Sequence, residues 1–336
     1  MKEDRVVLAH GGGGTMARRL IEDVIAVGLS NPVLDEMADA AVFDVPRGRL
    51  AFTTDTFVVR PLFFRGGDIG RLAVSGTVND LAAAGAAPLG VSLGLVLEEG
   101  FPLDDLRRII GSVRRTADEA GVRVVCGDTK VVGRGEADGI FINTSGVGAV
   151  RAWLELSPCA VAPGDVVIVN GPLGEHGVAV VSEREGLAFE TPVVSDVAPL
   201  WGLVERVLEA TTDLHVMRDP TRGGLAGVLN ELADAAEVTV VLSEDDLPVS
   251  PPVAAACDML GFDVLSVANE GKMVVICPEG AAGAVLDAMR SHPLGRAAVA
   301  VGRVEARRGV GVVMRTRLGG ERVVDAPYGE ELPRIC

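Results

Sequence analysis

The sequence contains few cysteines, and they are odd in number and widely scattered. The five residues lie far apart, and no CxxC motif occurs. Such spacing argues against a disulfide framework and against a structural zinc site. It favours reduced thiols, as in a cytoplasmic protein. The cysteines are Cys126, Cys159, Cys257, Cys277 and Cys336.

Basic residues are also scarce. The 31 lysines and arginines are outnumbered by 47 aspartates and glutamates, which gives a formal net charge of -16. A nucleic-acid-binding protein needs a basic face, so this composition argues against that class. An anionic substrate such as ATP would need Mg²⁺, or local Lys, Arg and backbone N–H groups, to be held by this chain.

Long apolar runs are missing as well, because a charged residue, Gly or Pro interrupts each one before it could cross a membrane. The first five residues carry charges of both signs and no cleavage-site pattern, so we predict no signal peptide. The chain has 336 residues, of which 48% are hydrophobic and 23% charged. These values predict a soluble, cytoplasmic, globular protein with room for two domains.

Apolar periodicity predicts an α/β (α+β) fold. Helices are expected over Ile69–Ala84 and Leu103–Ala120, where apolar residues recur with helical spacing and a glycine follows. Short apolar runs at 40–43 and 50–53 flank a Pro-Arg-Gly-Arg turn and predict a hairpin. Further short strands and helices are predicted in both halves of the chain, and the two halves resemble each other in this pattern.

A cluster of prolines near residues 157–164 predicts the boundary between two domains. The Leu332–Cys336 stretch is expected to be a mobile tail whose thiol can reach a distant pocket, stiffened by Pro333. The predicted segments are a Gly-rich segment and helix (1–37), an ATP-binding and dimerisation domain (38–156), a second α/β domain (157–316) and the tail (317–336).

The Gly-rich stretch from His10 to Thr15 precedes a predicted helix. It matches neither GxxxxGK[ST] nor GxGxxG, the two established phosphate-binding patterns. A phosphate-binding loop and a flexible linker are equally compatible with it.

Four aspartates stand at strand ends or beside glycine-rich turns, namely Asp39, Asp55, Asp80 and Asp219. Each one alone is compatible with a cap or a turn. Together they favour a site for Mg²⁺, which prefers carboxylate, phosphate and water oxygens. Asp80 follows Asn79 inside an apolar helix, where neither residue is a good helix former, so we expect that face to turn toward a site.

Three polar turns add candidate groups. The first is Cys126-Gly127-Asp128-Thr129-Lys130, where a glycine could admit a phosphate and a lysine adds positive charge. The second is Asp219–Gly224, which joins a carboxylate, a hydroxyl, a guanidinium and two glycines at the start of a helix. The third, Asn269–Lys272, could present Glu270 to a pocket.

Taken together, these motifs resemble the HypE family of hydrogenase maturation proteins, whose relatives are aminoimidazole ribonucleotide synthetase and selenophosphate synthetase. The resemblance covers nearly the whole chain, and the final PRIC separates this family from those relatives. The motifs are HGGGG, ADAAVFD, TTDTFVVRPLFFRGGDIG, GTVNDLAAAGAAP, CGDTKVV, FINTSGVG, RDPTRGGLA, NEGK and PRIC.

The resemblance implies a two-domain aminoimidazole ribonucleotide synthetase-like fold and a homodimer joined through the sheet of the N-terminal domain, with ATP bound near that interface. It also implies the reaction. The partner HypF carbamoylates the Cys336 thiol, and ATP-dependent dehydration turns the thiocarboxamide into a thiocyanate. The cyano group then passes to iron held by the HypC–HypD pair, as a ligand of the [NiFe] hydrogenase centre.

The resemblance further assigns residues. Mg²⁺ is expected on Asp39, Asp55, Asp80 and Asp219, and catalysis is expected from Cys336, Lys130 and Glu270. We favour Glu270 as the base, because a carboxylate of ordinary pKa is ionised at neutral pH, whereas Lys130 at its ordinary pKa is almost wholly protonated. A desolvated Lys130 remains the alternative base. The expected nucleotide-binding residues are Thr54, Thr77, Asn79, Gly127, Asp128, Thr221, Arg222, Gly223 and Gly224.

Two other functions compete with this one. A non-catalytic assembly scaffold would use the tail only for docking, and would show no ATP hydrolysis that depends on Cys336. A kinase or synthetase acting on a free small molecule would have no use for a thiol on a mobile tail.

Overall fold

The structure is a computed structural model that describes residues 5–11, 15–36, 48–187, 191–327, 332 and 334–336. The described part of the chain forms two large sheets with helices packed against them, and one further sheet of two short strands. The first half contains β1 (Arg49–Phe57), β2 (Phe63–Phe64), β3 (Gly67–Asp68), β4 (Ala86–Glu98), β5 (Val124–Val132) and β6 (Ile140–Val150). Its helices are α1 (Thr15–Leu20), a π-helical stretch (Ile21–Ala26), α2 (Val27–Leu29), α3 (Ile69–Ala83) and α4 (Leu103–Ala120).

The first sheet has the strand order β1-β6-β4-β5, and only the β4–β5 pair is parallel. Helices α3 and α4 pack together, and α3 also contacts β1, β4 and β6. Residues alternate across β1, so Asp55 and Phe57 face the helices while Phe52 faces away. That second face of the sheet is open in the single chain, where Phe52 is 71% exposed and Leu50 51% exposed.

The central helix, α3, is capped at its start and buried along its length. The Asp68 carboxylate caps its start by accepting hydrogen bonds from Gly70 N at 2.9 Å and Arg71 N at 3.0 Å. Nearly every side chain from Ile69 to Ala82 is buried, because the helix lies between the first sheet and the second half of the chain. This position brings the polar Asn79–Asp80 pair to the boundary between the two halves.

The second half is built on a seven-stranded sheet of order β13-β12-β9-β11-β7-β10-β8, in which only β9 and β12 run parallel. Its strands are β7 (Val166–Val169), β8 (Val216–Arg218), β9 (Val238–Ser243), β10 (Val274–Cys277), β11 (Val299–Ala306), β12 (Val312–Arg315) and β13 (Glu321–Val323). Its helices are α5 (Glu175–Arg184), α6 (Trp201–Ala210), α7 (Gly224–Ala235), α8 (Pro251–Leu260) and α9 (Glu279–Arg290).

Most predicted elements are confirmed. Helix α4 has the predicted bounds, and α3 ends one residue early. The run at 40–43 lies outside the described residues, so the predicted hairpin is not tested. The short strands β8 and β13 were not predicted, since three residues are too few to show a period. No helix of the described residues is long and apolar enough to cross a membrane.

The predicted mobile tail needs a correction for its last three residues. Arg334, Ile335 and Cys336, here called the tail segment, are docked against the body of the chain. Val58 N donates to Cys336 O at 3.0 Å, and Arg60 N donates to Arg334 O at 3.2 Å. Ile335 is 2% exposed and belongs to the main hydrophobic core. Burial of that side chain and pairing with the backbone after β1 hold the segment in place.

Candidate active site between the two halves of the chain

A cavity of about 690 Å³ lies between the two halves, a size that suits a nucleotide or another small ligand. Strand β1 and helix α3 supply one wall, including Thr53 and Asp80. The loop after β8 and helix α7 supply the other wall, including Arg218, Asp219 and Arg222. The cavity therefore depends on the contact between α3 and the second sheet.

Asp80 and Asp219 line this cavity, and Asp55 and Glu270 lie close enough to interact electrostatically with them. Three of these four carboxyl groups were predicted as metal ligands. Asp55 lies on β1, Asp80 on α3, Asp219 directly after β8, and Glu270 in the turn before β10. Thr53 Oγ1 donates to Asp80 Oδ2 at 2.7 Å. A Cβ on Gly76 would lie 3.4 Å from Asp55 Oδ2 and 2.9 Å from the Phe57 ring, so the absence of a side chain on α3 lets β1 approach.

The pKa of each of the four carboxyls is raised. Burial is the largest cause for each, and at Asp55, Asp219 and Glu270 the charge of neighbouring carboxylates adds to it. The pKa of Asp219 is raised to about 7 by burial and by the charges of Asp80 and Asp55. The pKa of Asp80 is raised by burial, which its hydrogen bond from Thr53 opposes. Sites with such shifts are candidates for chemistry.

Glu270 is shifted in the same direction. It is 3% exposed, and burial, followed by the charges of Asp219, Asp196, Asp55 and Asp80, raises its pKa well above the usual range. The expectation of an ordinary pKa for Glu270 therefore does not hold in the ligand-free chain, where these surroundings disfavour the ionised form. The sequence could not show this, because the charges responsible are distant along the chain.

Among the described residues, no three His, Cys, Asp or Glu side chains stand close enough to share a metal ion in this conformation. The donor set nevertheless suits a hard divalent cation. All the donors are carboxylate oxygens, and their mutual repulsion would be relieved by positive charge between them. Asp39, the fourth predicted ligand, lies outside the described residues, as do the central glycines of the Gly-rich loop.

The predicted anion-binding turn, Asp219–Gly224, lies at the cavity. Thr221 and Arg222 line it, and the turn is closed by a hydrogen bond from Gly224 N to Thr221 O at 2.9 Å. Gly223 and Gly224 both have positive φ, and a Cβ on Gly224 would lie 2.4 Å from Leu265 O. The glycines are required by this turn and by its packing.

Thr77 and Asn79, both predicted to bind nucleotide, point into the interior. Thr77 Oγ1 lies 2.5 Å from Thr144 Oγ1, and the side chain is fully buried. Asn79 Nδ2 donates to Ala198 O at 3.1 Å and Glu270 O at 3.2 Å, and its Oδ1 accepts from Leu200 N at 2.8 Å. In this conformation Asn79 joins the two halves of the chain.

The Gly127–Lys130 stretch lies elsewhere. It belongs to β5, and the strand order puts three inter-strand gaps, about 14 Å at about 4.8 Å each, between β5 and β1. Lys130 is paired with Asp128 at 3.0 Å on the open face of the sheet, opposite to the face that carries Asp55. A Cβ on Gly127 would lie 2.5 Å from Leu93 O, so strand packing explains that glycine.

Thr54 also faces the open side, as its exposure shows. Its hydroxyl accepts from Ser145 Oγ at 2.9 Å and donates to Thr144 O at 3.1 Å. A single chain therefore does not bring Thr54, Asp128 or Lys130 to the four carboxyls.

Sequence reasoning missed the group that holds the Glu270 turn. The Asp196 carboxylate accepts hydrogen bonds from Glu270 N at 3.2 Å and Gly271 N at 3.1 Å, and it pairs with Lys272 Nζ at 2.9 Å. Lys272 also pairs with Glu175 at 3.3 Å. The Lys272 charge and these hydrogen bonds hold the pKa of Asp196 low although it is buried. The one sequence feature that could have indicated Asp196 is its place in a Ser-Asp pair within an otherwise apolar stretch.

Comparison with known proteins agrees with this architecture. The description "AIR synthase related protein, N-terminal domain" matches residues 37–150, and "AIR synthase related protein, C-terminal domain" matches residues 162–315. The chain belongs to the AIR synthase related family.

Full-length relatives define it more narrowly. Carbamoyl dehydratase HypE of Azotobacter vinelandii is 50% identical over 336 residues, covering 100% of this chain and 98% of the relative. A solved structure of the hydrogenase maturation protein HypE in complex with ATP superposes with a TM-score of 0.94 at 44% identity, covering 98% of this chain and 99% of the other. Another, of a HypE–HypF complex, has a TM-score of 0.81 at 46% identity, with 92% and 99% covered. Within the larger family, this chain is a member of the HypE carbamoyl dehydratases.

Proposed function

We propose that this chain uses ATP to dehydrate a carbamoyl group carried on the Cys336 thiol, giving a thiocyanate for hydrogenase maturation. The observation that carries the proposal is the pair of features at the end of β1. The carboxyl cluster lies there, and the tail segment is docked onto Val58, three residues after Asp55. Three residues of extended chain span about 10 Å, which is the separation along β1 between Asp55 and the backbone that holds Cys336.

The reaction removes the elements of water from S–C(=O)–NH₂ and leaves S–C≡N. Amide oxygen is a poor leaving group, so the γ-phosphoryl group of ATP is transferred to it first, with release of ADP. The C–O bond then breaks, phosphate departs, and the nitrogen gives up two protons. The protein's work is to position the groups and to accept protons. Binding of ATP is supported by the related HypE structure with ATP.

Mg²⁺ would be held by Asp55, Asp80 and Asp219, with Asp39 as a further expected ligand. It would supply positive charge to offset the phosphates. The raised pKa of these carboxyls supports this assignment. Burial, and at Asp55 and Asp219 the negative charge of neighbouring carboxylates, destabilises their ionised forms, and a bound cation would offset that cost. Arg218 and Arg222 line the same cavity and add positive charge at its rim.

Glu270 is our choice for the group that takes a proton from the nitrogen. Its carboxyl is buried among negative charges, and its raised pKa makes its carboxylate a stronger base than an ordinary glutamate. A bound cation would favour the ionised form that the reaction needs. Lys130 remains the alternative base, and otherwise would steady the charge on the transferred phosphoryl group.

A homodimer would explain why Lys130 lies far from the carboxyl cluster. The open face of the first sheet exposes Phe52 and Leu50 beside polar groups, which suits contact with a second copy. If the two sheets face each other, the β5 edge of one copy can meet the β1 edge of the other. Lys130 of the second copy would then complete the site that contains Asp55 and Glu270.

HypF is the proposed carbamoyl donor, and the related HypE–HypF complex supports this partner. The HypC–HypD pair is the proposed acceptor of the cyano group. None of the five cysteines, all of which lie in the described part of the chain, forms a disulfide, which agrees with the reducing cytoplasm as the proposed location.

The test is mass spectrometry of the tail. Cleavage after Glu331 releases residues 332–336 as one peptide, which can be weighed after incubation with HypF, carbamoyl donor and ATP. A thiocarboxamide without ATP, and a species lighter by one water with ATP, are expected. Cys336→Ala should keep nucleotide binding and yield neither. Persistence of the carbamoyl mass with ATP would reject the dehydratase, and ATP use independent of Cys336 would favour a small-molecule kinase.

A further inference from the structure

The tail segment is anchored by a histidine to which neither the sequence motifs nor the proposed chemistry assigns a role. His176 lies near the start of α5 and is fully buried. Its Nε2 lies 2.9 Å from Ile335 O, the carbonyl directly before Cys336. The other ring nitrogen, Nδ1, lies 2.8 Å from Ser195 Oγ.

The Ile335 carbonyl decides which nitrogen carries the proton, because it can only accept, so Nε2–H donates to it. In the neutral ring Nδ1 then accepts from the Ser195 hydroxyl, whose oxygen also accepts from Val197 N at 3.1 Å. Burial lowers the pKa of His176, which agrees with the neutral ring that this arrangement needs. The Phe64 ring meets the imidazole edge-on, with 5.4 Å between centroids.

Two adjacent residues, Ser195 and Asp196, connect His176 to Glu270. Ser195 binds the imidazole, and the next residue, Asp196, binds the backbone N–H groups of Glu270 and Gly271. A Cβ on Gly271 would lie 1.8 Å from Asp196 O, so the two stretches are in close contact. Ser195 therefore positions His176, which contacts Ile335 O, and the adjacent Asp196 positions the backbone of Glu270.

We propose that His176 is a positioning residue that holds the tail segment in register with the Glu270 turn, so that the group on Cys336 is presented to the carboxyl cluster. Breaking the Nε2–Ile335 hydrogen bond loosens the segment, which favours its loading by the carbamoyl donor. The proposal rests on the proposed function for its consequence, but the docking it describes is measurable without any reaction.

Other contacts also hold the segment, and they define the size of the effect. Arg334 binds Val58 O at 3.0 Å and pairs with Asp138, and Arg184 donates to Arg334 O at 2.8 Å. These contacts keep the segment near the body when the histidine is replaced. Loss of the His176 bond leaves a buried carbonyl unsatisfied, which costs about 1–3 kcal/mol, or about 5- to 150-fold in the docking equilibrium.

A pair of amide substitutions isolates Nε2. In His176→Gln the side-chain amide can reach the position of Nε2 and still donate to Ile335 O. In His176→Asn the shorter amide stays near Nδ1 and can bind only Ser195. Both remove the ring, so any effect of ring packing on stability is shared by the two variants, and the difference between them reports the bond to the tail segment.

The first measurement is the rate at which iodoacetamide alkylates Cys336 in the full chain without nucleotide or donor, read from the peptide 332–336. We expect His176→Asn to react at least about fivefold faster than the native chain, and His176→Gln to stay within about twofold. Equal rates for all three would overturn the proposal. If either variant fails to fold, Asp138→Asn on the surface is the second route, and it should also raise the rate by loosening Arg334.

The second measurement separates positioning from a structural role. With Cys336 already carbamoylated, His176→Asn should slow single-turnover dehydration at saturating ATP, while its loading by HypF is as fast as native or faster. His176→Gln should recover most of the dehydration rate. Slowing of both steps together would indicate general damage and overturn the proposal. If the native chain makes no thiocyanate, the proposed function fails, and the alkylation rates still test the docking role.

Discussion

Asn79 Nδ2 donates to the backbone carbonyl of Glu270 at 3.2 Å, which joins the helix that carries Asp80 to the turn that carries the proposed base. The same amide binds Ala198 O and Leu200 N, so one buried side chain bonds to three backbone groups across the domain boundary. The hydrogen bonds of Asn79, which was predicted to bind nucleotide, therefore fix the position of one wall of the site relative to the other.

Replacing Asn79 by Ala should destabilise the protein and slow its chemistry together. Three buried backbone groups would lose their partner, at a cost of about 1–3 kcal/mol for each that stays unsatisfied. Glu270 would also lose part of its support. Chemical denaturation and single-turnover dehydration measure the two effects.

Asn230→Ala is the matched control for Asn79. The Asn230 amide also binds two backbone carbonyls, Ala226 O and Val324 O, but both lie within the second half of the chain. It should lose stability and keep the rate of the dehydration step. An Asn79→Ala protein with a native rate would show that the boundary contact does not position the site.

Asp80→Asn should weaken binding of ATP with Mg²⁺ at least about tenfold, about 1.4 kcal/mol, while leaving thermal stability unchanged or higher. The reason is that Asp80 adds to the repulsion felt by Asp55, Asp219 and Glu270, so its charge does not stabilise the ligand-free fold. Calorimetric titration and thermal unfolding would measure both quantities.

Glu231→Gln removes a carboxylate from the wall of the same cavity and is the control. Glu231 pairs with Arg218 at 2.8 Å, is largely exposed, and has no part in the four-carboxyl cluster. Its nucleotide affinity should change little. Equal weakening in the two variants would mean that general charge, and not ligation by Asp80, holds the nucleotide.

Mixing two inactive variants tests whether each site is shared between copies. Lys130→Met and Glu270→Gln should each be inactive alone. If Lys130 of one copy serves the Glu270 site of the other, each mixed dimer contains one site with both defects and one intact site. Random reassortment of equal amounts should then restore about a quarter of native sites.

The reassortment experiment has a clear opposite outcome. If Lys130 and Glu270 act in the same chain, every site in the mixture carries one defect and no activity returns. Sedimentation of the mixture, with one variant tagged, confirms that mixed dimers have formed. Restored activity without mixed dimers would point to a Lys130 role outside the shared site.

Stability should fall as pH rises through the mildly acidic range when no divalent metal is present. The folded-state pKa of Asp219 is about 7 against an unfolded value of 3.8, so the folded state binds its proton more tightly. For such a raised carboxyl, the stabilising contribution is present on the acid side. It is lost progressively as pH rises from about 4 to about 7.

Thermal unfolding in a chelator at about pH 5 and about pH 7.5 would measure this effect. The native protein should unfold at a lower temperature at the higher pH, and Asp219→Asn should show a smaller drop. Added Mg²⁺ should reduce the drop in the native protein. A native protein that becomes more stable over this range would show that the cluster is not strained by its own charge.

The sequence by itself determined the elements, the two-part α/β organisation and the family. Helix α4 and the Asp55, Asp80 and Asp219 positions are readable because they depend on local spacing and on nearby turns. Local spacing of this kind does not depend on the tertiary arrangement, so it can be recognised from the sequence alone.

Only the tertiary structure decided what those residues experience. The pKa of Glu270 is raised because the side chain is buried and because the carboxylates Asp219, Asp196, Asp55 and Asp80 come close to it from other parts of the chain. Asn79 joins the two halves of the chain through its hydrogen bond to Glu270 O. Lys130 lies on β5, at the edge of the first sheet farthest from β1, and on the face opposite to Asp55. The docked tail segment is contacted by His176, which is 160 residues from Cys336 in sequence and lies within hydrogen-bond distance of the carbonyl of Ile335, the residue before it. Burial and electrostatic coupling are sums over neighbours in space, and the chain order does not list those neighbours.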